Sequence, residues 1–233
     1  MLLALVFVLP DICFAAIVLE NYTAGTFTSN TSFSFTTSGD NRILLVFYQR
    51  NTDHSTSVTY DGSAATYSGY AALTPGGNYD LLWYQTNPTL GSNTLALGSN
   101  NPSALKAYVV MQFSGVDTSD PFDVFGTLDS QSATTTPLQS VTSTTADGMA
   151  VWGLGMATAE GNVSGASGTT KATGATMTDG SPSINGLYKS VSATGAFTVN
   201  GLSSASAGWS GVLTILNAIQ APSITNYYHP QLF

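Results

Sequence analysis

Four times along the chain, a stretch of alternating polar and apolar residues bends and then becomes an unbroken apolar run. In the plainest copy Thr94-Leu95-Ala96-Leu97 alternates, Gly98, Asn100, Asn101 and Pro102 break the chain, and Leu105 to Phe113 runs apolar until Gly115. The same order recurs at 33–48, 138–157 and 196–216. Gly and Asn supply the positive φ that tight hairpin turns need, while Val, Tyr, Phe and Met suit a pleated, buried surface. A strand that is apolar at successive positions is covered on both faces, as in the middle of a sandwich. The runs Arg42–Arg50, Leu105–Phe113, Met149–Ala157 and Gly208–Asn217 are therefore expected to be central strands.

The remaining segments read as shorter strands and turns. Ala16–Glu20 is a short apolar strand, and Thr26–Thr37 reads as one strand with Phe33 and Phe35 on its dry face. Asp61-Gly62, between Ser57–Tyr60 and Ala64–Tyr67, is the sharpest hairpin signal. Tyr70–Asn78 reads as a loop around Pro75-Gly76-Gly77, and Asp80–Asn87 as a buried strand. Thr127–Thr136 reads as a Thr/Ser-rich crossing and Gly161–Thr170 as a loop. Lys171–Met177 and Asn185–Val191 read as strands, the first of them at an edge. No stretch pairs helical spacing with a cap and a closing Gly. About 12–14 short antiparallel strands with little or no helix predict an all-β, two-sheet, jelly-roll-like (concanavalin-like) β-sandwich over residues 16–217. No fixed short period marks a solenoid. Residues 218–233, with Pro222 and Pro230, read as an extended C-terminal arm.

Composition narrows the partners. Only 8% of the 233 residues are charged, against roughly 25% in an average soluble domain. Thr, Ser, Gly and Asn carry solubility instead, as expected of extracellular β proteins and virion parts. The net charge is −8, and Arg42, Arg50, Lys106, Lys171 and Lys189 are scattered, so no basic patch exists to neutralise phosphates and nucleic acid is not an expected partner. Residues 1–15 (MLLALVFVLPDICFA) read as a signal peptide cut between Ala15 and Ala16. That run is shorter than the ~20 residues of a membrane span and is interrupted by Asp11, so no membrane span is expected. The only cysteine is Cys13, which leaves residues 16–233 without disulfides or thiolate metal sites.

SGDNRILLVFYQ, TSVTYDGSAAT, DLLWYQTNPTLGSNTLAL, AYVVMQFSGVDTSDPFD, VTSTTADGMAVWGLGMA and GWSGVLTILNA together resemble lectin-like jelly-roll sandwich modules found in tailed-phage virion proteins and secreted bacterial surface proteins. The resemblance covers about Ala16 to Ala218. It implies an external structural or attachment role without a catalytic set, in a protein that is secreted or displayed on a virion.

Candidate chemistry is sparse. Glycoside hydrolysis needs two carboxylates facing across the bond, and the only glutamates are Glu20 and Glu160, neither at a strand position beside an Asp. There is no Gly-x-Ser-x-Gly elbow, and His54 and His229 lie in a loop and in the tail. Asp117, Asp120 and Asp123 are weak calcium candidates, since calcium takes six to eight oxygens and Asp117 can cap the turn instead. Sugars stack on exposed aromatics, and Tyr67, Tyr70 and Tyr79, which flank one Gly-rich loop, are the candidate glycan contacts. Trp83, Trp152 and Trp209 lie in strands expected to be core. No cofactor is expected. The leading expectation is a non-catalytic extracellular or virion attachment subunit, able to form a homo-oligomer through sheet edges or terminal arms. The alternatives are a carbohydrate-binding module acting on cell-surface or polysaccharide glycan, and a secreted glycan-cleaving enzyme.

Overall fold

The computed structural model describes residues 16–51, 57–73, 78–99, 101, 105–157, 163–176 and 183–220. The expected leader 1–15, His54, Glu160, His229 and most of the C-terminal arm lie outside them. The fold is all-β, with several antiparallel sheets that do not close into a barrel, as a β-sandwich requires. Among the described residues there are seventeen strands, more than expected, because several are only two or three residues long.

The first nine strands are β1 (Val18–Phe27), β2 (Thr31–Thr37), β3 (Ile43–Asn51), β4 (Val58–Tyr60), β5 (Ser63–Ala64), β6 (Thr66–Leu73), β7 (Asn78–Thr86), β8 (Gly91–Leu97) and β9 (Lys106–Ser114). They form a large sheet ordered β1-β9-β3-β7-β6 and a small one ordered β2-β8-β4-β5. The next eight are β10 (Phe122–Thr134), β11 (Leu138–Ser143), β12 (Gly148–Met156), β13 (Ser164–Ala166), β14 (Thr170–Thr176), β15 (Ser183–Val191), β16 (Gly195–Leu202) and β17 (Ala207–Leu216). They form a large sheet ordered β10-β17-β12-β15-β14 and a small one ordered β11-β16-β13.

The two wirings are the same. Replacing β1, β9, β3, β7 and β6 by β10, β17, β12, β15 and β14 turns one large sheet into the other, and the small sheets correspond likewise apart from β5. The chain is one jelly-roll-like sandwich written twice, each half with its own two facing sheets. Long-range contacts obey the same exchange: β1 lies against β14 as β10 lies against β6, and β9 meets β15 as β17 meets β7. The halves are related by an approximate twofold and meet through their large sheets, giving four layers in the order small, large, large, small.

Among the described residues, three cores fill the spaces between layers. Phe35, Leu44, Val46, Tyr48, Tyr60 and Leu95 pack inside the first half, and Trp152, Leu154, Leu187, Trp209 and Leu213 inside the second. Between the large sheets lie Ile43, Leu45, Phe47, Leu82, Met111 and Phe113 from one side, and Met149, Val151, Ile184, Val212 and Leu216 from the other. That shared core explains the four apolar runs, since β3, β9, β12 and β17 are all inner strands of the two sheets that face each other. Exposing such side chains costs roughly 1.5–3 kcal/mol each, so neither half keeps its ribbons dry without the other.

The expected bends are in place. Asn41 (φ 52°) and Asp147 (φ 63°) turn the chain into β3 and β12 at equivalent positions of the two halves. Asp61 (φ 51°) and Gly62 (φ 74°) form the two-residue hairpin, the pair of positive φ values that this dipeptide adopts most readily.

Four local expectations differ from the structure. Residues 26–37 are not one strand, because bends at Thr28–Asn30 end β1 and begin β2. The loop expected from Tyr70 is strand as far as Leu73. The stretch 161–170 contains a short strand, β13. The Thr/Ser crossing at 127–136 is mostly β10, the edge strand of the second large sheet. Edge strands have only one neighbour to specify a pattern, and bulges between Leu128, Gln131 and Thr134 erase the alternation by which a strand is recognised.

Candidate functional site

Strand β7 divides its side chains between two environments. Tyr79, Leu81, Trp83 and Gln85 face the small sheet of the first half, while Asp80, Leu82 and Tyr84 face the second half, as period-two alternation requires. Strand β6 pairs with β7 so that Tyr67 is opposite Trp83 and Tyr70 opposite Leu81, with a bulge between Tyr67 and Gly69. A Cβ at Gly69 would lie 2.7 Å from the Phe125 ring of β10, so the close approach of the two halves needs a glycine there.

The three tyrosines chosen from sequence thus come together with Trp83 on one face of the β6–β7 pair. Tyr67 tilts over Trp83, with centroids 5.1 Å apart and planes at 51°. Tyr70 meets Tyr79 edge to face at 5.5 Å and 81°. Tyr67 and Tyr70 are 40% and 43% exposed, among the most open large side chains described, while Tyr79 and Trp83 are half-buried beneath them. The Nε1 of Trp83 and the Oε1 of Gln85 have no hydrogen-bond partner. Both atoms are buried, so what the face presents outward is the rings of Tyr67 and Tyr70. Trp83 was expected in the core. Its place on this face is legible from the spacing of Tyr79, Leu81 and Trp83, which puts all three on one side of the strand.

On the opposite side of β7, Asp80 is completely buried between the halves. Its Oδ2 accepts a hydrogen bond from Ser210 Oγ of β17, and its Oδ1 has no partner. Gln49, the cross-strand neighbour on β3, is buried too, close enough to favour the charged form but not aligned into a hydrogen bond. A side chain in place of Gly155 would collide with the carboxyl, so β12 presses flat against it. Burial pushes the Asp80 pKa up from 3.8 to about 8, against the opposing pull of Ser210, Gln49 and the Gly155 backbone. A raised pKa of this kind can mark a general acid. Asp80 is fully enclosed, and its one hydrogen bond, from Ser210, runs from β17 to β7 across the seam between the halves.

The three acidic residues after β9 do not converge. Asp117 Oδ1 accepts from the Ser119 N–H (3.0 Å) and Oγ (2.6 Å), which fixes the turn between the halves and lowers its pKa. Asp123 is turned toward the β11–β12 bend, where Oδ2 accepts from Ser143 Oγ (2.7 Å) and the Thr144 N–H (2.9 Å). Partial burial raises the Asp123 pKa, and these bonds, led by the one from the Thr144 hydroxyl, more than offset it. Asp120 contributes its backbone oxygen to Asn217 Nδ2 at 2.9 Å. Among the described residues no group of three His, Cys, Asp or Glu side chains is placed to share a metal ion. Glu20 accepts from Ser38 Oγ (3.2 Å) and Ser114 Oγ (2.5 Å), an anchor for the start of β1. No helix among the described residues is long and apolar enough to cross a membrane.

Compared with known families, curated proteins and solved structures, the chain gives no match.

Proposed function

We propose that the protein is a non-catalytic attachment module that holds a neutral polysaccharide against the β6–β7 face, in an extracellular or virion-surface setting. The observation that carries this reading is the gathering of Tyr67, Tyr70 and Tyr79 over Trp83 on a half-open face. Aromatic faces bind the C–H side of a sugar ring, and nearby polar groups fix its hydroxyls. A chain with only 8% charged residues suits a ligand without charge. The likeness of the sequence to lectin-like virion and bacterial surface modules supports the same reading.

Binding to soluble neutral polysaccharides, followed by calorimetry or affinity electrophoresis, tests it. Replacing Tyr67 or Tyr70 by Ala should weaken binding by roughly five- to tenfold each, at about 1 kcal/mol per ring. Both side chains are open, so stability should change little. Binding unaffected by the double replacement would sink the proposal.

A further inference from the structure

The two small sheets lie at opposite ends of the four-layer stack, and the twofold relation lets their outer faces be compared position by position. Thr37 of β2 is opposite Gly91 (φ 94°) of β8, as Ser143 of β11 is opposite Gly195 (φ 110°) of β16. Counted from these equivalent ends, Ser32 corresponds to Leu138, Ala96 to Asn200 and Gly98 to Leu202. The third strands agree, since the Gly98 N–H bonds to the Ser57 carbonyl where Leu202 is paired with Ser164. On the first half this patch is sunken, a depression of about 290 Å³ lined mainly by Ala96, Gly98, Asn30, Ser32, Ser57 and Thr59. On the second half the same patch is raised. Leu138 and Leu202, diagonal neighbours across β11 and β16, stand 50% and 47% exposed, among the few large apolar side chains described that are open to water.

The seam inside the molecule shows what such a difference does. Phe47 and Gly153 are equally far from the equivalent bends at Asn41 and Asp147, so they are one position of the fold in its two copies. They meet across the seam, where a Cβ on Gly153 would collide with the Phe47 ring. Equivalent positions can face each other through an approximate twofold because one is large and the other is glycine. Leu138 with Ser32, and Leu202 with Gly98, are pairs of the same kind, yet within one molecule they lie at opposite ends and cannot meet. Two copies bring them together when the second small sheet of one packs on the first small sheet of the next. Both faces are also built without charge. No Asp, Glu, Lys or Arg occurs in β2, β4, β5, β8, β11, β13 or β16. The net charge of −8 is therefore carried off these strands, and salt screens what remains beyond about 8 Å.

We propose that these two faces are the two sides of one interface, through which copies of this chain stack head to tail. Leu138 and Leu202 of one copy enter the depression of the next. The faces point in opposite directions, so the contact does not close on itself and continues into a linear stack. Strand spacing and rise give the four-stranded face a contact of roughly 900 Å² counted on both partners, less than the roughly 1,200–2,000 Å² of a stable complex. Association is therefore weak and driven by concentration. The β6 edge lies on the side of the stack, so each added copy presents Tyr67 and Tyr70 again, and a weak hold on a polymer gains by repetition. The stack itself does not depend on what the tyrosines bind.

Sedimentation velocity of the full chain over a range of concentrations, with electron microscopy of the concentrated sample, provides the test. Wild type should sediment faster as concentration rises and form linear stacks. Replacing both leucines, Leu138→Ser with Leu202→Ser, should raise the dissociation constant by at least about tenfold. Ser32→Leu, which fills the depression from its own side, should do the same. These positions are on outer faces, so the circular dichroism and melting of both variants should match wild type. Neither variant should associate alone. Mixed, they should form a one-to-one complex that grows no further, because one keeps only the leucines and the other only the depression. A Ser32→Leu chain that dimerises by itself would show leucines packing on leucines, and a mixture that stays monomeric would place the contact elsewhere. Either result overturns the head-to-tail interface, as does association unchanged in both variants. A wild-type chain that stays monomeric at the highest concentration reached would overturn the stack, and loss of polysaccharide binding in Ser32→Leu would then assign the depression to a sugar.

Discussion

The seam between the halves should weaken as the solution becomes less acidic, because of a single carboxyl. Asp80 is fully buried, its Oδ1 is unpartnered, and its pKa rises from 3.8 to about 8. The native state holds this proton over a pH range in which the unfolded chain has released it. The resulting stability is fully present below 3.8, declines by about 1.4 kcal/mol per pH unit above it, and is gone once the pH passes about 8. The whole effect is of order 5 kcal/mol, a large share of the 5–15 kcal/mol that holds a typical domain together. No other titratable side chain is among the residues placed against it, which are Gln49 and Ala71 on the neighbouring strands and Gly155 and Ser210 across the seam. Asp117 and Asp123 are lowered, so they act in the opposite sense and only as the pH falls below the ordinary carboxylate range. Urea unfolding followed by tryptophan fluorescence between pH 4.5 and 8 should show the midpoint falling throughout. Asp80→Asn should flatten that profile: its carbonyl still accepts from Ser210, its amide can use the idle Gln49 Oε1, and it has no proton to lose. The variant should match wild type near pH 4.5 and exceed it by several kcal/mol near pH 8. A wild-type profile that is flat across this window would refute the reasoning.

Two further perturbations probe the packing. Gly153→Ala would place a methyl 2.1 Å from Cδ1 of the fully buried Phe47, which should cost about 1–3 kcal/mol in chemical denaturation, with partial recovery when Phe47 becomes Leu. Tyr60→Phe removes a buried hydroxyl that lies 2.9 Å from the carbonyls of both Phe35 and Gly91, tying β2, β4 and β8 together, and should lower stability by about 1–2 kcal/mol and speed hydrogen exchange in the first small sheet.

The placement of the candidate tyrosines was legible one strand at a time. Tyr67, Tyr70 and Tyr79 could be singled out because tyrosines near a Gly-rich break are poor core residues, and they do share a face. That Trp83 lies beneath them follows from counting by twos along β7. Asp80 was silent, because a lone acid at the start of an apolar strand gives no sign of which partner buries it.

The residue order by itself determined the all-β class, the turns at Asn41, Asp61-Gly62 and Asp147 and the four apolar inner ribbons, because these depend on near-neighbour physics: side-chain period, backbone φ and the preference of branched and aromatic residues for a pleat. Only the tertiary structure decided that the sandwich is built twice and closed on itself. The repeat is not one of matching letters. Where the halves meet, a large residue on one side requires a small one on the other, as Phe47 requires Gly153 and Asp80 requires Gly155. Complementary packing makes equivalent positions differ, so the duplication that organises the molecule is hidden in its sequence.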